Sequence, residues 1–193
     1  MKEPIDIDLF KESQEALDRY LQSWVGEKMN TAGTNYAPDP VNMPMIRHWV
    51  DAFDDRNPVY EDTASAEQHG WGTRIAPPAM MQTWTMPRVV LKGIAERGGA
   101  AQDLDPDIPL GVLDRVGFNG ILATNSVLEF DRPLKEGDML QSDVVFESAS
   151  ERKSTGLGQG YFLTWSQTYV DQNGENVGKQ TFTVLKFDPS TIG

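Results

Sequence analysis

The sequence predicts an α+β fold in which a curved antiparallel sheet wraps one short, proline-interrupted helix, preceded by an N-terminal helical arm. Three observations predict it. The first half of the chain shows helical periodicity, while the last third is a run of strand-like segments. Between them, residues 76–93 (APPAMMQTWTMPRVVLKG) are apolar on most sides, as a helix enclosed by a sheet would be. The pair Asn173-Gly174 separates two alternating segments and marks a hairpin.

Taken in order, residues 10–24 read as an amphipathic helix, with Phe10, Leu17, Leu21 and Trp24 at helical spacing and Gly26 as a stop. Residues 30–40 are rich in Gly, Asn, Asp and Pro and read as a loop. A second helix runs from Met43 to about Asp54, with Pro44 near its start and Met45, Ile46, Trp49, Val50 and Phe53 on its apolar stripe. Pro58 disfavours helical geometry at Asn57 and ends it. Pro87 should break or kink the buried helix. Residues 97–120 form a long excursion containing Gly, Pro and Asp, of the kind that covers a site. Strands are expected at 121–130, 139–148, 161–170 and 177–187, antiparallel and in sequence order, with the turn at residues 135–138 joining the first two. The whole chain, 1–193, reads as one domain, with 1–24 as the arm and 25–187 as the core.

Composition narrows the function. The 193 residues include no cysteine, which removes disulfides, thiolate nucleophiles and cysteine-ligated zinc. The N-terminus lacks an apolar stretch of the signal-peptide type and no apolar run reaches the ~18 residues of a membrane span, so the cytoplasm is expected. A net charge of −12 opposes nucleic-acid binding.

The chemistry concentrates at residues 51–60 (DAFDDRNPVY). Asp51, Asp54 and Asp55 crowd the last turn of a helix, where carboxylates oppose the macrodipole. On this observation alone a solvated acidic turn accounts for them. Residues 55–60 also resemble the D-x-N-P-[LIV]-H signature of the MaoC-like, R-specific enoyl-CoA hydratases and dehydratases. Asp55, Asn57 and Pro58 match, and Tyr60 stands where the signature has histidine. In that family the Asp and His hold and activate a water that adds across the 2,3-double bond of an enoyl thioester. A phenol with a reference pKa of about 10 is a poor substitute for imidazole as a base. His48 lies within the second helix; His69, before Gly70, is the alternative base.

The segment from Arg74 to Met80 (RIAPPAM) is similar to the family stretch that leads into the central helix, where a backbone N–H polarises the thioester carbonyl. The resemblance spans residues 25–187 and is closest to the MaoC-like domain of the larger chain of the heteromeric steroid-side-chain hydratases. It implies the hot-dog fold. It also implies a division of labour: a second, smaller MaoC-like chain carries the catalytic Asp and His, and this chain shapes the acyl pocket. A thiolase-like aldolase, recruited through a further zinc-ribbon/OB-fold domain, is an additional implied partner. No cofactor is implied, since the CoA thioester is the substrate.

Expected pocket residues are Gly72, Ala76, Pro77, Met80, Met81, Trp84, Met86 and Val90; Met and Trp suit a bulky, rigid apolar group. Arg88, Lys92, Arg132 and Lys135 are the candidate contacts to CoA phosphates. Two other readings stay open: a self-sufficient hydratase using Asp55 with Tyr60 or His69, and a non-enzymatic acyl-CoA-binding or scaffold domain for an aldolase complex. An unpaired sheet edge of this kind predicts dimer formation, with itself if no partner is present.

Overall fold

The computed structural model describes residues 5–31, 33–86, 90–93 and 105–192. Its framework is an antiparallel sheet of β1 (Asn35–Tyr36), β2 (Gly120–Phe130), β3 (Gln141–Ala149), β4 (Lys153–Thr155), β5 (Gly158–Val170) and β6 (Asn176–Asp188). The spatial order is β1-β3-β5-β6-β2, with β4 on β5. The four long strands fall where alternation placed them, but not in sequence order. β2 pairs with β6, so β2 and β3 lie apart in the sheet, and residues 131–140 cross over rather than form a hairpin. The short β1 and β4 carry too few residues to show a period. β5 and β6 do form the hairpin that Asn173-Gly174 marks, with Gly174 at φ +81°.

The arm is two helices rather than one. α1 (Ile7–Glu12) and α2 (Gln14–Ser23) are separated by Ser13, whose extended backbone ends the first while its hydroxyl caps the second by accepting from the Ala16 N–H. α3 (Met43–Phe53) forms as expected, with Asn42 capping its N-terminus and Pro44 in its first turn. α4 (Thr63–Gln68) follows, and α5 (Pro109–Arg115) lies within the expected excursion. The segment at 76–93 is not the kinked α-helix that its apolarity predicted. Residues Pro78–Thr85 are a 3-10 helix, and Met86 is already extended, as the residue before a proline prefers. Pro87 itself lies outside the described residues. No helix among the described residues is long and apolar enough to cross a membrane.

The sheet's inward face is covered in two halves. The β5–β6 register aligns Tyr161 with Lys186, Leu163 with Val184, Trp165 with Phe182, Gln167 with Gln180 and Tyr169 with Gly178. At one end Tyr161, Leu163 and Val184 pack with Leu17, Tyr20 and Leu21 of α2 and with Leu113 of α5. At the other, Tyr169 and Val177 pack with Met80, Met81 and Trp84 of the 3-10 helix and with Ile46 of α3. Lys186 is 2% exposed and pairs with Asp114, which fixes α5 to the sheet. Such a pair is costly to desolvate and costlier to break.

Gly178 is the close approach between sheet and 3-10 helix. A Cβ there would meet the Glu129 carbonyl oxygen and, at 2.7 Å, the Met81 sulfur. Gly178→Ala is expected to lower stability by about 1–3 kcal/mol through overpacking, read as a reduced midpoint in urea unfolding with an unchanged slope.

Candidate functional site

The loop after α3 is built from residues whose side chains dictate their own turns. Asp54 ends the helix in the left-handed region at φ 50°, and Arg56 pairs with it (Nε to Oδ1, 2.7 Å). The Asp55 carboxylate accepts from the Asn57 N–H at 3.1 Å, and the Asn57 side-chain oxygen accepts from the Val59 N–H at 3.3 Å. Pro58 then opens a 3-10 turn, Pro58–Tyr60. Each signature residue present therefore has a conformational job that requires no catalysis. Together they set the half-buried Asp55 and the exposed Asn57 beside Tyr60, which is 8% exposed. Burial first, then the negative charge of Asp55, pushes the Tyr60 phenol above its ordinary value, against a hydrogen bond from Asn57. That direction makes Tyr60 a still poorer base at neutral pH.

Both histidines lie at the surface. His48 is exposed on α3. His69 is exposed at the C-terminus of α4, where its Nδ1 hydrogen-bonds the Ser65 carbonyl oxygen at 2.8 Å.

The segment leading into the 3-10 helix is tied on both sides. The Ile75 N–H donates to the Val59 carbonyl at 3.3 Å, and the Ala76 N–H donates to the Leu134 carbonyl at 2.8 Å. The Ala76 N–H is therefore committed within the fold. Gly72 adopts φ +72° with open space where a Cβ would stand. Beside this segment lies a cleft of about 260 Å³, lined by Trp71, Ile75, Pro78, Met81 and Phe130 and by the turn at residues 131–134. Its walls are apolar, and Trp71 and Phe130 are 40% and 46% exposed at its margin.

Of the expected pocket residues, Met81 lines this cleft. Ala76, Pro77, Met80 and Trp84 are buried core, although the Trp84 Nε1 is buried with no hydrogen-bond partner among the described residues. Met86 and Val90 are 62% and 38% exposed. Among the expected phosphate contacts, Arg88 lies outside the described residues, and Lys92 and Lys135 are exposed. Arg132 is committed to the fold: it binds Asp138 at 2.7 Å and Asp171 at 2.8 Å. Asp171 is 2% exposed. Burial alone would raise its pKa, but the N–H groups of Glu175 and Asn173 and the Arg132 guanidinium hold it below the carboxylate range. The sequence around Arg132 offers several acidic residues and does not single out its two partners, which come from 6 and 39 residues away. Trp71 and Phe130 escaped sequence reasoning because each is a single aromatic in a loop or strand end.

Residues 23–180 match the family described as FAS1-like, dehydratase domain region. A probable enoyl-CoA hydratase alpha subunit from Thermomonospora curvata is 40% identical over 184 residues, covering 92% of this chain and 54% of the relative. The 3-oxo-4,17-pregnadiene-20-carboxyl-CoA hydratase alpha subunit of Mycobacterium tuberculosis is 38% identical over 156 residues, covering 80% and 47%. The chain thus spans about half the length of the curated relatives it matches. A chain in the crystal structure of the ChsH1-ChsH2 complex from Mycobacterium tuberculosis superposes with a TM-score of 0.68 at 35% identity, over 82% of this chain and 84% of that one. The fold is the hot-dog fold, with its central helix reduced to 3-10 turns.

The raised Tyr60 pKa has a checkable consequence. The fold prefers the neutral phenol, so its contribution is full below the unfolded pKa of about 10 and is lost as pH rises through the higher folded value. In an alkaline titration, the tyrosinate absorbance missing from Tyr60→Phe should develop above the midpoint of free tyrosine.

Proposed function

We propose, on the premise that this chain belongs to the family of FAS1-like dehydratase domains, that it is the pocket-forming, non-catalytic chain of a two-chain enoyl-CoA hydratase. The observation that carries this reading is the loop at residues 55–60. Its conformation is held by Asp55, Asn57 and Pro58, yet the position that needs an imidazole holds a buried phenol with a raised pKa. A general base must have a pKa near the working pH, so the water is activated on a second MaoC-like chain that carries both Asp and His. That two similar relatives are called alpha subunits supports a partner of this kind.

The partner has a place to sit. β2 is an edge strand of eleven residues, hydrogen-bonded on one side to β6, and exposed along nearly its whole length. Ile121, Leu122, Val127 and Phe130 are each more than 40% exposed on it. A bulge at Ala123–Asn125 and the single charge of Glu129 interrupt this edge, and the apolar side chains on either side of them still leave it open to association. The cleft under Trp71 opens beside its Phe130 end, so pairing along β2 brings the partner's catalytic pair next to this chain's apolar walls.

In this reading the acyl group is large, rigid and apolar, of the steroid side-chain type, which the name of the Mycobacterium relative supports. The chain orients that group and excludes water from it, while the partner moves the proton. With a net charge of −12 and Arg132 already paired, the nucleotide end of CoA rests mainly on the partner, assisted by Lys92 and Lys135. Such thioester chemistry belongs to the cytoplasm.

The test is hydration of a polycyclic 2-enoyl-CoA by this chain alone, by a small MaoC-like partner alone, and by the mixture. Turnover is expected in the mixture only, and Tyr60→Phe should leave the mixture's kcat within about three-fold, since a phenol of raised pKa contributes no base. Turnover by the chain alone that is lost in Asp55→Ala would overturn the reading, and binding without turnover in any mixture would favour a scaffold role. Separately, Val127→Lys should weaken association on β2 about ten-fold or more, because an edge charge has no partner there; analytical ultracentrifugation reads it.

A further inference from the structure

α3 is apolar on two faces, and only one of them is covered. Met43, Ile46 and Val50 recur at helical spacing and are buried in the core. Met45, His48, Trp49, Ala52 and Phe53 follow one another at spacings of three and four and form a second face, about a third of a turn round from the first. On it Met45 and Phe53 are 42% and 64% exposed, and Trp49 is half-buried. The Trp49 and Phe53 rings contact each other with centroids 4.5 Å apart. A helix that is apolar on both sides belongs between two packing partners, and grouped exposed aromatics mark an interaction surface.

The charges beside this face identify its occupant. At the helix end Asp54 is paired with Arg56, Nε to Oδ1, at 2.7 Å. His48 and Asp51 are exposed on one flank, and neither side chain makes a hydrogen bond or ion pair among the described residues. Asp51 lies in the field of Arg56 without binding it. A basic partner would find one open carboxylate here, whereas a second copy of the chain finds a complement for both groups. The face is also symmetric about Trp49. Met45 lies four residues before it and Phe53 four after, ~6 Å each way along the axis. A two-fold axis through Trp49 therefore sets Met45 of each copy over Phe53 of the other, a sulfur–aromatic contact. The same axis brings His48 of one copy within ~1.5 Å, measured along the helix, of Asp51 of the other. An imidazole N–H then donates to a carboxylate, twice per contact. A parallel pair would instead oppose Asp51 to Asp51.

We propose that this face of α3 is a homotypic contact, occupied by α3 of a second copy of the chain in antiparallel orientation about Trp49. It uses no residue of β2 and does not rest on the hydratase reading. The strip is ~12 Å long and one helix wide. That is less than the roughly 800 Å² per partner of a stable interface, so the contact by itself is weak and depends on concentration.

The test is sedimentation of the full chain carrying Val127→Lys, which closes the β2 edge. A concentration-dependent monomer–dimer equilibrium is expected. Phe53→Glu should weaken it about ten-fold or more, because its carboxylate would be buried against Met45. His48→Asp should weaken it too, and His48→Asp combined with Asp51→His should restore it, which loss of helix stability alone would not do. The chain has no cysteine, so introduced ones report the register. A short bis-maleimide is expected to join Met45→Cys to Phe53→Cys in a mixture of the two variants faster than it joins either to itself. A monomer at every concentration, a dimer indifferent to Phe53→Glu, or preferential linking of Met45→Cys to itself overturns the proposal. Association that appears only with an added small MaoC-like chain, and is lost in Phe53→Glu, assigns the face to that chain and overturns it as well.

Discussion

The β5–β6 register is the constraint on which the rest of this molecule depends. Thirteen-residue strands paired almost end to end fix which side chains point inward, and a slip of one residue would turn every one of them to the other face. With the register set, Gly178 lies under the 3-10 helix, Lys186 lies under α5, and the glutamines Gln167 and Gln180 lie side by side between them. The core then has two apolar halves with a polar row at their boundary. Neither the arm nor the 3-10 helix alone covers the face; each covers one end.

The second consequence concerns the loop at residues 55–60. Its shape comes from an Asp, an Asn and a Pro that each bend the chain locally, and its anchor comes from backbone bonds to Val50 and from Ile75. None of these depends on the side chain at position 60. The loop can therefore keep its conformation when an imidazole is replaced by a phenol, and chemistry can be lost without loss of structure. The Ala76 N–H is committed to Leu134 in the same way, as a suture between the helix entry and the crossover after β2. The crossover is itself held by Arg132 between Asp138 and Asp171. What looks like an active-site periphery is thus largely a set of structural ties around an apolar cleft.

Much of the candidate site was legible in the sequence, but unevenly. Asp55, Asn57 and Tyr60 were found together because their roles are local in the chain. Met81 was found because it sits in an apolar segment. The pairing of Arg132 was not legible, because its carboxylate partners, Asp138 and Asp171, are brought to it by a crossover and a hairpin. Met86 and Val90 were expected inside and are exposed, because the helix that would have turned them inward ends at Thr85. The polar row could have been read: Tyr161, Leu163, Trp165, Gln167 and Tyr169 occupy alternate positions of one strand, and the glutamine is the exception among them.

By itself the sequence determined what depends on local periodicity and local turns: the four long strands, the helix ahead of the Asp55 loop, the hairpin at Asn173-Gly174, and the absence of an imidazole at position 60. It determined the fold class because helices followed by alternating strands can bury their faces in few ways. Only the tertiary structure decided the strand order, since β2 pairs with a strand that lies some fifty residues on, and no local signal encodes that choice. It alone decided that the central segment is a 3-10 helix, where a following proline and the close approach of Gly178 prevail over apolar periodicity. And it alone placed Thr85 over Ser142 and Gln167, because residues 57 and 82 positions apart meet only when the 3-10 helix packs on the sheet.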